Sequence, residues 1–76
     1  MASHAEILQM EQRVRTYVEE HATFSETAAS LGNKLGIDVR IVRRVLEGLT
    51  QAGQLTRRTF NGNIEPVYFR YQARAS

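Results

Sequence analysis

Apolar residues recur at helical spacing from the start of the chain. Ile7, Met10, Val14, Tyr17, Val18 and His21 fall on one face, and Glu11, Arg15 and Glu19 fall opposite at i,i+4 spacing. Ser3-His4-Ala5-Glu6 precedes them as a capping box, in which the Ser oxygen takes an orphan N–H and Glu6 reaches back. The pattern predicts an amphipathic helix over about 4–21 that packs on a core. It breaks at Ala22 to Glu26, where Phe24 is the one large apolar group, and a short extended piece is expected. Thr27 then caps a second helix from Ala28 to Leu35, and Gly36 suits the left-handed residue that closes it. Asp38 caps a third helix from Val39 to about Ala52, with Val42, Val45, Leu46 and Leu49 on one face and Gly53 as its stop.

Beyond Gly53 the period changes from helical to alternating. Leu55 to Phe60 and Ile64 to Tyr71 are rich in β-branched and aromatic residues and read as two strands. Phe60-Asn61-Gly62-Asn63 lies between them, and Asn-Gly is a strong hairpin signal because both turn residues accept positive φ. Pro66, near the start of the second strand, suggests an edge strand or a bulge. The expected fold class is therefore mostly α with a small β-hairpin, in the order α-β-α-α-β-β, as one domain over 1–76. The initial Met and the full set of elements suggest a whole protein rather than an excised piece.

Composition narrows the class. The 76 residues suffice for one domain with one core, and the 42% hydrophobic content argues against disorder. The absence of Cys excludes disulfides and thiolate metal sites. No secretory leader or membrane span is visible, so an intracellular, cytoplasmic location is the default. Net charge is only +2, but it is unevenly spread. Residues 1–30 hold five acids (Glu6, Glu11, Glu19, Glu20, Glu26) and two bases (Arg13, Arg15). Residues 31–76 hold eight bases (Lys34, Arg40, Arg43, Arg44, Arg57, Arg58, Arg70, Arg74) and three acids (Asp38, Glu47, Glu65). Such asymmetry points to an anionic partner for the C-terminal half, against the plainer reading of surface solubility.

The stretch Ala28 to Ala52 resembles a helix-turn-helix, and with the hairpin it resembles a winged helix of the bacterial and phage regulator type. Leu31, Leu35, Ile37, Val42 and Val45 stand at the apolar positions that lock the two helices. Gly32 is small where they cross, and Gly36 stands at the turn. The likeness covers about residues 24–71. It implies a helix-turn-helix over about 27–52 and a wing over about 54–71. It also implies sequence-specific binding of double-stranded DNA, most simply by a small transcriptional regulator.

The residues of the third helix fit that implication. At about 100° per residue, Arg40, Arg44 and Glu47 lie opposite the apolar arc, with Arg43 at its edge. Arg can fork onto guanine O6 and N7, and Val39 is placed to touch a thymine methyl. In the motif that the chain resembles, base contacts cluster in the first turn of this helix, where Arg40 lies. The plainer alternative is a solvated face, with Glu47 pairing with Arg43 or Arg44 along the helix. On the wing, Arg57 and Arg58 alternate to opposite faces, so one of them is expected at the DNA, with Asn61 and Asn63 at the tip. The start of the second helix, at Thr27, Ala28 and Ala29, offers unpaired amides to a phosphate, and Asn33 and Lys34 stand near its other end.

His4 and His21 are too far apart in sequence for a local metal pair, and His21 reads as a helix-end residue. No Ser-His-Asp grouping, paired-carboxylate site or phosphate-cradling glycine loop is present. The chain is therefore expected to be no enzyme and to need no cofactor or metal. A single small domain covers a short DNA site, so a homodimer through the first helix is expected. Two other uses of such a domain stay open: a protein–protein interaction module, and binding of RNA or non-B-form nucleic acid.

Overall fold

The structure, a computed structural model, describes residues 3–60 and 65–70. Its elements run α1 (His4–Glu20), β1 (Ser25–Thr27), α2 (Ala28–Leu35), α3 (Val39–Gln51), β2 (Leu55–Arg58) and β3 (Val67–Arg70). This is the mixed α+β order expected from the sequence, three helices with a three-stranded antiparallel sheet. The sheet order is β1-β3-β2, so the short extended piece before α2 closes the hairpin on its far side.

Each boundary has a local cause. Ser3 Oγ accepts the Glu6 N–H at 3.2 Å, which forms one half of the expected capping box. Thr27 Oγ1 accepts the Ser30 N–H at 3.1 Å, and Asp38 Oδ1 accepts the Arg40 N–H at 2.8 Å. Gly36 ends α2 at φ 66°, where a Cβ would crowd the backbone, and the Ile37 N–H returns to the Gly32 carbonyl at 3.0 Å. At the end of α3 the Gln54 N–H returns to Leu49 O and the Gly53 N–H to Thr50 O, the paired bonds of a Schellman motif.

The core forms where these elements converge. Val14 and Val18 of α1 meet Leu31 of α2 and Val42, Val45 and Leu46 of α3; Phe24, Ile37, Leu55 and Tyr68 close the sides. Gly32 allows the close approach of α2 to the turn, since a Cβ there would lie 2.8 Å from the Ile37 carbonyl oxygen.

Three details differ from expectation. On α1 only Val14 and Val18 are fully buried; Ile7, in the N-terminal turns that extend past the core, is half-buried, and His21, at the C-cap, is exposed. The Glu11, Arg15 and Glu19 charges on α1 form no ion pair with one another among the described residues. Pro66 does not mark an edge: β3 is the central strand and begins at Val67, just after the residue that has no N–H to give a ladder. β2 stops at Arg58 and β3 starts only at Val67, so among the described residues both wing strands are shorter than the apolar pattern suggested. The expected turn at Asn61, Gly62 and Asn63 lies outside the described residues, as does Arg74. No helix among the described residues is long and apolar enough to cross a membrane.

Candidate nucleic-acid interface

The burial of Val42, Val45 and Leu46 fixes the roll of α3, and the roll turns Arg40, Arg43 and Arg44 outward. Each arginine has a different surrounding. Arg40 lies back along the helix start, its Nε 3.2 Å from Asp38 Oδ1 and its Nη2 3.0 Å from Oδ2. The Arg40 guanidinium holds the Asp38 carboxyl down at about 2, from an ordinary 3.8. Arg43 reaches Glu65, ahead of β3, only loosely at 3.5 Å. Arg44 has no acidic partner among the described residues and borders two shallow grooves against α1, one with Ile7, Met10 and Ile41, the other with Glu11 and Arg15. Val39 is half-buried against the core beside Gly32, so its side chain serves packing as well as the outer surface.

The hairpin register places the wing arginines. Arg57 pairs with Tyr68 and Arg58 with Val67, so Arg57 shares the inner sheet face with Leu55 and Tyr68. Arg58 lies on the other face, exposed and without an acidic partner among the described residues. The expected separation of the two is present, and Arg57 is the one that meets α3.

Glu47 has a role that its place on the helical wheel did not suggest. It pairs across to the sheet instead of along the helix with Arg43 or Arg44. Arg57 Nη1 donates to both carboxylate oxygens, at 2.6 and 2.7 Å, and the Tyr68 hydroxyl donates to Oε2. The Tyr68 hydrogen bond and the Arg57 charge hold the Glu47 carboxyl below its ordinary range, against the opposing effect of burial. Burial and the Glu47 carboxylate push the Tyr68 hydroxyl up to about 12. With its oxygens engaged, Glu47 is a strut between α3 and the wing more than a free acceptor for a base. The sequence marks Tyr68 only as one of the aromatic residues of the second expected strand. The signal for its second role is the pairing of Tyr68 with Arg57, which appears only once the hairpin register is known.

The residues of α2 divide between two sides. Asn33 and Ala29 border the start of α3 together with Val39. Lys34 points the other way and pairs with Glu26 of β1 at 3.0 Å. Burial works to raise the Glu26 carboxyl, but hydrogen bonds from Lys34, Ser30 and Tyr17 outweigh it and hold the group low. Glu26 thereby places a carboxylate beside the start of α2, with Ser30 Oγ 3.0 Å from it, and Thr27 already satisfies one amide there. The structure therefore brings Arg40, Arg43, Arg44, Glu47 and Arg57 together, with Arg58 on the opposite face of the same wing. It does not bring Lys34 or Thr27 to them.

Other bases serve the fold. Arg70 Nη1 lies 3.4 and 3.2 Å from the carbonyls of Val18 and Glu19, and so supplies a cation to the C-terminus of α1, whose last turn has none of its own. Arg13 does the same for α2 through Leu35 O at 3.3 Å. His21 donates from Nδ1 to Tyr17 O at 2.7 Å and stacks on the Tyr17 ring, as a helix-end residue would. Among the described residues no group of three or more His, Cys, Asp or Glu is placed to hold a metal ion. No protein-family model matches the chain, and no curated protein is found similar to it.

Proposed function

We propose that this chain binds double-stranded DNA without catalysis, with α3 in the major groove and the β2–β3 wing alongside. The observation that carries the reading is the outward display of Arg40, Arg43 and Arg44 on one short helix, with Arg57 brought beside them by the sheet. An α-helix fits the major groove, where each base pair presents a distinct pattern of donors and acceptors. Arg44 and Arg58, with no acidic partner among the described residues, suit phosphate, and the resemblance to winged helix-turn-helix regulators makes transcriptional control the simplest biological use. Binding to DNA implies an intracellular site of action.

A short site favours two copies. Leu8 stands 49% exposed on the N-terminal half of α1, beside half-buried Ile7 and Met10, and supports self-association through that helix. The same exposed leucine, with Phe60 just past β2 at 45% exposed, favours the second reading, a module that docks another protein.

The test is a set of binding isotherms on duplex DNA at graded salt, with RNA and single-stranded DNA as competitors. The proposal expects duplex to compete best and affinity to fall steeply with salt as counterions are released. Absence of duplex binding at low salt would sink it, and preference for RNA or single strands would redirect it.

A further inference from the structure

Asp38 and Arg40 form the most fully bonded pair on the outward side of α3. The Asp38 backbone carbonyl accepts N–H groups from Ile41 and Val42, at 3.0 and 3.2 Å, so the residue is fixed into the first turn. Its Oδ1 takes the Arg40 backbone N–H, and its two oxygens together take Nε and Nη2 of the Arg40 side chain. A cap alone needs only the first of these bonds. The rest orient a guanidinium. Among the described residues Arg43 has only its loose 3.5 Å contact with Glu65, and Arg44 has no acidic partner.

The orientation has a chemical consequence. The Nε edge of Arg40 is occupied, which leaves the Nη1 donors and the outer Nη2 donor directed away from Asp38. These form the end-on fork of the guanidinium, and its spacing matches two adjacent acceptors such as O6 and N7 of guanine. The Arg40 side chain is 83% exposed and the Asp38 side chain 43%, so the fork is open to a ligand. The Asp38 charge disfavours a phosphate at this point and leaves the pair nearly neutral, as suits a neutral base edge.

We infer that Asp38 is a specificity-determining residue, a buttress that holds Arg40 as a reader of guanine at the start of α3. The inference rests on the duplex-binding reading above and adds to it the base that is read and the residue that enforces the choice. Arg40 makes the contact; Asp38 acts through it as a positioning residue.

The test compares wild type, Asp38→Asn, Asp38→Ser and Arg40→Ala. Asn and Ser are N-caps as good as Asp, so the helix start survives while the two-oxygen grip on the side chain is lost. Bound duplexes are selected from a randomised pool, and isotherms follow on the selected duplex and on its single-base variants. Wild type is expected to prefer guanine at one position by roughly tenfold or more. Asp38→Asn and Asp38→Ser should lose most of that preference, as Arg40→Ala does, while their affinity for unselected duplex holds or rises because a negative charge is gone. A merely structural cap predicts no change in base preference.

A DNA-independent readout accompanies these. The Arg40 Nε–H should be ordered by NMR relaxation in free wild type and mobile in both Asp38 variants. Guanine preference retained within about twofold in both Asp38 variants overturns the buttress and leaves duplex binding intact. A mobile Arg40 Nε–H in free wild type overturns it as well. Failure of wild type to bind any duplex overturns both readings together.

Discussion

The hydroxyl of Tyr68, a residue only 1% exposed, donates to the carboxylate of Glu47, and this bond ties the central strand of the sheet to the outward side of α3. Tyr68→Phe keeps the ring in the core and removes the bond. It should cost about 1–2 kcal/mol, since hydrogen bonds to charged groups exceed neutral ones. Glu47→Gln keeps an acceptor for Tyr68 and removes the charge opposite an exposed Arg57, which should cost less than about 1 kcal/mol. Urea unfolding of both variants measures the order; a larger loss for Glu47→Gln would place the weight on the ion pair instead.

The same groups set how stability responds to pH. The Tyr68 hydroxyl is raised to about 12 from an ordinary 10.0, so its protonated form is favoured in the folded chain. Its contribution is complete below pH 10 and is lost as pH rises towards 12. Asp38 is lowered to about 2 from 3.8, so its contribution is present above 3.8 and is lost as pH falls towards 2. Urea midpoints across the pH range should fall at both ends. Tyr68→Phe should flatten the alkaline limb, and Asp38→Asn should shallow the acid one. Unchanged limbs in these variants would assign them to other groups.

Three glycine-to-alanine substitutions should differ in sign or size. Gly32→Ala drives a Cβ to within 2.8 Å of the Ile37 carbonyl oxygen and should cost about 1–3 kcal/mol. Gly36→Ala meets no neighbour but keeps φ at +66°, and should cost about 1–2 kcal/mol. Gly48→Ala, on an exposed turn of α3 with open space around it, should be neutral or stabilise by up to about 1 kcal/mol. Chemical unfolding of the three variants checks the ranking. A neutral Gly32→Ala would contradict the close approach of α2 to the turn.

Much of this fold can be read from residue spacing. The caps at Ser3, Thr27 and Asp38, the closing glycines at 36 and 53 and the apolar arcs of α2 and α3 are local features, so sequence spacing carries them. The outward display of Arg40, Arg43 and Arg44 follows from those arcs. What spacing does not carry is pairing between distant elements. Lys34 lies in the basic half of the sequence, yet it faces Glu26. Arg70 belongs to that half too, yet it caps α1 across the core. Glu47 lies among the outward residues of its helix, yet a strand that arrives ten residues later takes its charge. Pro66 misled for the same reason, because only the return of β1 makes β3 central.

These pairings temper the charge argument and give it a number. Asp38, Glu65 and Glu47 each face one arginine of the proposed interface, which leaves Arg44 and Arg58 without acidic partners among the described residues. With Arg40 given to a base edge, and each phosphate contact contributing about −0.9 to the log–log salt slope, these two set a floor near −2 and the four arginines other than Arg40 a ceiling near −3.6. Arg44→Ala and Arg58→Ala should each shallow the slope by about one. A slope near zero would remove phosphate contact from the account.

The central claim is that the outward side of α3 and the wing beside it meet duplex DNA. Titration of isotopically labelled protein with a duplex at low salt, followed by NMR amide shifts, tests it most directly. The account predicts that the largest shifts fall between Val39 and Gln51 and on Arg57 and Arg58, with the C-terminal half of α1 and the Glu26–Lys34 pair little moved. Saturable shifts centred on α1 instead, or no shifts at all, would contradict it.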